Sequence, residues 1–365
     1  MTPLPLHELH QQLGGTFAEI DGLEVVDHYG SFLDEHRSLK EGAVVIDLSS
    51  RSRLCLVGGD RQRFLNGQVT NDVAKLKTGD GCYAALVTAK GKMVSDLNIY
   101  ALENELLLDF EPGLTGAITQ RLDKYIIADE VQIVDVAPHY GLLSLQGPRA
   151  SDALQQMRLV STLPMKERTH VLAKDETHGE IYVIRHARCG SQGFDLFVPL
   201  ASLGAVFDKA IAAVRPIGGS VCGWRALEAA RIEAGIPRYG ADMDETNLPP
   251  EAGIDQTAIS YTKGCYIGQE VIARIRTYGQ VAKALRGLRL ANGLSPLPVK
   301  GDKILRDGKE VGYLTSVLAS PLLNANIALG YVRRETNQIG ATLTLRSQSG
   351  ETSATIVPLP FGTAQ

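Results

Sequence analysis

From Ala282 onward the chain reads as a succession of short strands, and that stretch limits the possible folds more than any other. Residues 282–290, 309–314, 327–332 and 341–345 are short segments of strand length that alternate with turns, punctuated by Pro296-Leu297-Pro298, Gly301 and other turn residues. Short strands at this spacing over roughly eighty residues suggest a small β-barrel, which leaves no edge exposed. Such a module is a minor part of a 365-residue chain. The whole exceeds one ordinary core, so two or three domains are expected.

Upstream, strands and helices mix. Residues 43–48, 51–57, 81–87, 93–100, 106–110, 131–136, 140–145, 180–185 and 194–198 have strand character, with 88–92 a polar, glycine-containing hairpin loop. Helices are expected over 112–126, after Pro148, over 201–214 and over 224–234, with a short one running from Asp60 as N-cap through Leu65. This order suggests α+β layers. No Gly-x-Gly-x-x-Gly follows a strand, so a dinucleotide fold is unsupported. Residues 237–253, rich in proline, glycine and acid, form a long irregular segment of the kind that serves function or moves.

Hydrophobic residues make up 44% of the chain and charged residues 21%, the balance of a soluble globular protein. The net charge of −4 gives no global basic field, so direct nucleic-acid binding is not expected. Five cysteines at 55, 82, 189, 222 and 265 include no Cys-x-x-Cys pair. Neither a zinc knuckle nor a self-contained iron–sulfur ligand set can be read, and no metal site is expected. The residues before Gln11 carry no secretory pattern and no apolar run reaches membrane-spanning length, which makes a cytoplasmic, membrane-free protein the simplest expectation.

Chemistry concentrates in Lys263-Gly264-Cys265-Tyr266-Ile267-Gly268-Gln269-Glu270, with Arg274 and Arg276 close behind. Nearby cations stabilise a thiolate, so Cys265 is a candidate reactive thiol. The alternative is a small buried hydrophobe in a tight turn. Asp96 falls inside an expected strand, where aspartate is disfavoured and needs a reason such as edge exposure. Tyr83, on the facing strand, is of a type that strands favour. Arg225, Glu228 and Arg231 recur at three-residue spacing, which a solvated ion-pair row would also produce. Thr70-Asn71-Asp72 reads as a capped connection, and His10 and His36 as hydrogen-bonded packing residues.

The eight-residue motif Lys-Gly-Cys-Tyr-x-Gly-Gln-Glu resembles the signature of the YgfZ-type folate-binding proteins. These are relatives of the glycine-cleavage T-protein (aminomethyltransferase) that support iron–sulfur cluster assembly or repair and, through it, tRNA modification. Further segments are similar to T-proteins: Leu143-Ser144-Leu145-Gln146-Gly147-Pro148, Leu227 to Gly235, Tyr239 to Gly253, Val311 to Ser316 and Ile327 to Val332. The resemblance covers nearly the whole chain. It implies an α+β fold of two intertwined N-terminal subdomains that exchange strands, plus a C-terminal β-barrel. Residues 1–50 and 140–280 would form one folate-binding subdomain, 51–139 an inserted α+β subdomain, and 281–365 the barrel.

The resemblance also implies tetrahydrofolate, or a derivative, as cofactor. Asp96 takes the place of the T-protein catalytic aspartate, which could orient or deprotonate the folate nitrogen that receives a one-carbon unit. Tyr83 could join the same pocket, and Lys263 and Tyr266, which flank the motif cysteine, are further candidates to bind the cofactor. Arg231 takes the place of the arginine near the folate tail, where a guanidinium fits a carboxylate. Ser191 stands where aminomethyltransferases carry a glutamate that hydrogen-bonds the pterin, and a hydroxyl accepts less strongly. Aminomethyltransferases also have a similar Asp-Phe-x-Gly-Lys-Glu, without cysteine, in place of the motif. The first function implied is a folate-binding maintenance factor for iron–sulfur client proteins, acting through Cys265. The second is an aminomethyltransferase using Asp96 and an aminomethyl-lipoyl carrier protein. A folate-binding module without turnover is the third.

Overall fold

The computed structural model describes residues 1–279 and 281–362. Gln280 and residues 363–365, which close the expected 140–280 and 281–365 segments, lie outside the described residues.

Residues 52–135 build a five-stranded antiparallel sheet in the order Gly81–Val87, Met93–Ala101, Glu105–Phe110, Ser52–Val57, Gln132–Asp135. Alternation along these strands decides which side chains meet. Leu54, Leu56, Leu97, Ile99 and Leu108 face the helices Arg61–Gln68 and Thr115–Asp123, burying Phe64, Leu65, Ile118 and Leu122. The opposite face contributes Cys55, Tyr100 and Leu107 to a second core shared with Ile46, Leu142 and Phe197.

Those last three belong to a six-stranded sheet in the order His170–Asp175, Gly179–Arg185, Gly193–Pro199, Tyr140–Gln146, Val44–Asp47, Ser220–Val221. Only the final pair is parallel. The helices Ala150–Met157 and Leu203–Val214 cover its other face around Leu145, Leu196 and Phe207. Among the described residues, no strand crosses between the two sheets, contrary to the expected exchange of strands. The chain path links them instead, because Val44–Asp47 enters the six-stranded sheet before the 52–135 strands are made and its partners follow them.

The C-terminal strands close as a barrel in the order Lys283–Leu290, Ala325–Arg333, Lys309–Ser320, Lys303–Arg306, Thr342–Ser347, Gly350–Val357. Leu288, Leu314, Leu345 and Ile356 fill it. Ile232, on the helix Trp224–Glu233, packs on the barrel's Leu285, Leu329 and Tyr331. The next residue on that helix, Glu233, accepts hydrogen bonds from His36 and from Ser320 of the barrel and pairs with Lys40 at 2.8 Å. Burial alone would raise this carboxyl, but the three partners outweigh it and hold it at about 2. His10 is buried as well, between Asp47 and Tyr29.

Several elements escape a reading by periodicity. The hairpin Thr16–Ile20 with Leu23–His28, the helix Phe32–Glu41 and the edge strand His170–Asp175 are short or weakly patterned. The barrel strands Lys303–Arg306 and Gly350–Val357 are likewise weakly patterned, with polar side chains at half of their positions. Asp60 does not cap its helix; its carboxylate accepts from the Glu130 backbone N–H at 3.0 Å instead. The helix expected from Pro112 begins at Thr115, because Gly113, at φ 77°, turns the chain first.

Candidate functional site

The strands Gly81–Val87 and Met93–Ala101 pair Tyr83 with Asn98 and Ala85 with Asp96. The pleat therefore puts Tyr83, Asp96 and Asn98 on one face, with Tyr83 and Asp96 on a diagonal that a long side chain can span. The Tyr83 hydroxyl donates to Asp96 Oδ2 at 2.7 Å. Both residues line a cavity of about 310 Å³, closed from other sides by the helix Trp224–Glu233, residues 235–238 and residues 186–188. Leu48, Trp224, Leu227, Ile236 and Ile254 give it an apolar wall. Such a strand aspartate is no longer anomalous once its face borders a polar cavity.

Burial, and then the neighbouring Glu111, raise the Asp96 carboxyl to about 6, against the lowering hydrogen bond from Tyr83 and the charge of Arg51. Glu111 is itself held ionised: burial opposes, but Arg51 and Arg238 outweigh it and lower its pKa. Tyr83 is pushed well up by burial and by Asp96, so it stays a hydroxyl donor.

Around this pair runs a chain of alternating charges through all three parts of the protein. Asp195 pairs with Arg188 at 2.6 Å, Arg188 with Asp109 at 2.9 Å, and Asp109 with Arg51 at 2.7 Å. Arg51 then bonds Glu111, which pairs with Arg238 at 3.2 Å, and Arg238 with Glu228 at 3.0 Å. Glu228 holds Arg231 at 2.9 Å, and Arg231 reaches Asp242 at 2.5 Å. Asp242 ends the chain by accepting from Thr315 and Ser316 of the barrel at 2.6 and 2.7 Å. Asp109, His186 and Asp195 converge closely enough to resemble a metal site, yet Arg51 and Arg188 already supply their countercharge. Despite burial, Arg51 and Arg188 hold Asp109 at about 2, and Arg188 with His186 holds Asp195 well below the usual carboxylate range.

The expected site residues thus divide. Asp96, Tyr83 and Arg231 line the cavity. Arg231 is not free to meet a ligand, because its donors go to Asp242, Glu228, Ser316 Oγ and the Ile236 carbonyl. Ser191 lies off the cavity beside Cys189, 3.7 Å from its sulfur, while His186, Ala187 and Arg188 of the same loop reach the wall. Cys265 is exposed, which overturns the buried-hydrophobe alternative, and it too lies outside the cavity lining.

The cations expected to serve that thiol are engaged elsewhere. Lys263 Nζ donates to the carbonyls of Asn66, Val69 and Asn71 at 2.6–2.8 Å, satisfying the end of the helix Arg61–Gln68. Arg274 pairs with Glu270 at 2.6 Å, and Arg276 stacks 4.0 Å from the Tyr261 ring centroid. Tyr266 is buried beneath Lys263 in the core that joins Ala85 and Met93 to Met243 and Ile272. Gly268 has φ 85°, and a Cβ there would stand 2.5 Å from the Thr88 carbonyl oxygen, so this glycine seats the motif on the 88–92 hairpin loop. Thr70 is a structural connector, its hydroxyl donating to Ala258 O at 2.6 Å and accepting from Ala85 N at 2.9 Å. Arg51, Glu111, Arg168, Arg188 and Arg238 were not singled out from the sequence; they come from separate loops, and no local pattern marks them.

A charged cavity between the 52–135 sheet, the 186–188 loop and the 224–257 stretch, with an acid of raised pKa in its wall, defines a small-ligand pocket. The family model for the GCVT N-terminal domain matches residues 6–263, and that for the glycine cleavage T-protein C-terminal barrel domain matches residues 283–362. The chain belongs to the glycine cleavage T-protein family. An aminomethyltransferase of Geobacillus kaustophilus is 28% identical over 358 residues, covering 98% of this chain and 97% of that one. A putative chloroplastic transferase of Arabidopsis thaliana is 30% identical over 346 residues, covering 91% and 74%. The solved structure of glycine cleavage system aminomethyltransferase T from Bartonella henselae superposes with a TM-score of 0.88 over 99% of this chain and 98% of that one. At 23% identity, this is a likeness of fold. No helix among the described residues is long and apolar enough to cross a membrane.

Proposed function

We propose that this chain binds a reduced folate in the cavity and acts as an aminomethyltransferase, moving a one-carbon unit from an aminomethyl-lipoyl carrier protein to tetrahydrofolate. The observation that carries the reading is the Tyr83–Asp96 pair, an acid raised to about 6 at the cavity wall. The cavity suits such a ligand: Trp224 and Leu227 offer an apolar wall to a flat ring, and arginines surround the rest. When bound, tetrahydrofolate supplies the nitrogen that accepts the one-carbon unit. Asp96, largely ionised at neutral pH, is suited to orient that nitrogen or take its proton. Tyr83 holds the carboxylate in place, and Glu111 keeps its affinity for a proton high. The aminomethyltransferase relatives add support from sequence. The test is ammonia release from an aminomethyl-lipoyl carrier with and without tetrahydrofolate. Release at least tenfold faster with folate is expected, and equal rates would defeat the reading.

One observation favours a second reading. Cys265 sits exposed on the surface, within the motif that resembles YgfZ-type proteins, where a client protein can reach its sulfur. In that reading the folate pocket serves iron–sulfur protein maintenance and, through it, tRNA modification, with the thiol as working group. The two separate cleanly at Cys265→Ala. Aminomethyl transfer predicts that this variant releases ammonia within twofold of wild type, and that any cluster-enzyme activity the wild-type gene restores in cells lacking it is restored equally by the variant. Loss of that restoration, with folate binding intact, would shift the assignment to the second reading.

A further inference from the structure

Five arginines reach the cavity wall, and four are consumed within the protein. Arg51 holds Asp109 and Glu111, Arg188 holds Asp109 and Asp195, Arg231 holds Asp242 and Glu228, and Arg238 holds Glu111 and Glu228. Arg168 differs. Its Nε donates to Asn98 Oδ1 at 3.0 Å, and its Nη1 lies 3.7 Å from Glu167, beyond hydrogen-bond distance. The Glu167 carboxylate accepts instead from the Ala187 backbone N–H at 3.3 Å. Among the described residues, neither terminal nitrogen of Arg168 makes a hydrogen bond, so the end-on fork of the guanidinium is open.

That fork is held in place. The residue adopts φ 64°, a left-handed backbone that a non-glycine side chain disfavours, and its N–H donates to Arg185 O at 2.7 Å. The guanidinium carbon lies 5.1 Å from the centroid of the Tyr83 ring, the ring whose hydroxyl holds Asp96. Asn98 cannot turn its carbonyl away from Arg168, because its amide nitrogen donates to Asp109 at 3.2 Å. The Arg168 side chain keeps 20% of its exposure, between exposed Lys166 and Glu167 and the cavity, which places it at the rim.

Two coplanar free donors match a carboxylate better than a single carbonyl oxygen. At the rim they meet the end of a ligand that faces solvent. We propose that Arg168 is the cation that pairs with a carboxylate on the solvent-facing tail of the bound reduced folate, the role Arg231 was expected to fill. The inference rests on the folate reading above.

Calorimetric titration of wild type, Arg168→Gln and Arg168→Lys tests it, using 5-formyltetrahydrofolate and 6-methyltetrahydropterin, which lacks the tail. Arg168→Gln is expected to bind 5-formyltetrahydrofolate about 10- to 100-fold more weakly, the range of a charge-assisted hydrogen-bond pair, with tetrahydropterin affinity within twofold of wild type. Arg168→Lys keeps the charge without the fork and is expected to fall between the two, which decides the matter if Arg168→Gln fails to fold. Unchanged folate affinity, or equal losses for both ligands, would overturn the assignment while leaving the folate reading intact. Wild type that binds neither ligand would overturn the folate reading, and this proposal with it.

Discussion

An Asp96→Asn protein is expected to lose folate-dependent ammonia release by about 10²- to 10⁴-fold, the range of a removed general acid–base group. The same protein is expected to be more stable than wild type at neutral pH. Both follow from one carboxyl raised to about 6 by burial and by Glu111. In the unfolded chain an aspartate titrates near 3.9, so between about pH 4 and 6 the native state binds more protons than the unfolded state. The stability linked to Asp96 is fully present below about pH 4 and is lost as pH rises through about 6. The shift sets a ceiling of about 3 kcal/mol, and contact with a solvated cavity lowers this to about 1–2 kcal/mol. Asparagine keeps the shape and can still accept from Tyr83, but it carries no charge. Ammonia release measured against pH is expected to show a wild-type acid limb near 6, and urea midpoints at pH 4.5 and 7.5 should lie closer together in the variant. An Asp96→Asn rate above a tenth of wild type would remove Asp96 from the chemistry.

Asp96 was legible in the sequence because it broke a rule. A carboxylate inside an apolar strand needs a reason, and the family resemblance put Tyr83 of the facing strand in the same pocket, but the hydrogen bond between the two is seen only in the structure. The barrel was legible because glycine and proline mark its turns, although two of its more polar strands were not. The rest of the site depends on contacts between distant segments. Arg231 has the right residue type and helix position for a ligand-binding cation, yet its fate is decided by Asp242, in an irregular loop, and by Ser316, in the barrel. Arg168 is one arginine in a loop without pattern; its open fork emerges only when the partners of the other four are known. Cys265 shows the same limit. Lys263, two residues away in sequence, turns its ammonium into the end of a helix near residue 69 rather than toward the thiol.

The tie between the cavity wall and the barrel makes Asp242 the most costly residue to truncate. Its carboxylate, fully buried, accepts from Arg231, Thr315, Ser316 and the Arg238 backbone N–H. Asp242→Ala leaves Arg231 buried with one carboxylate partner instead of two and strips the acceptor from three other donors. Breaking one side of a buried pair in this way costs about 3–5 kcal/mol. The loss is expected as a lower urea midpoint, with the barrel unfolding ahead of the two sheets because Asp242 bridges to it. Folate affinity should fall as well, since Arg231 and Arg238 form part of the cavity wall. Charge removal on both sides separates the pair from the desolvation of a lone guanidinium. Arg231→Met with Asp242→Leu is expected to be less destabilising than Asp242→Ala alone, because no unpaired charge remains buried. A single variant within about 1 kcal/mol of wild type would mean that the barrel is held by the apolar contact at Ile232 and by Glu233, and that the charge chain ends without mechanical consequence at Glu228.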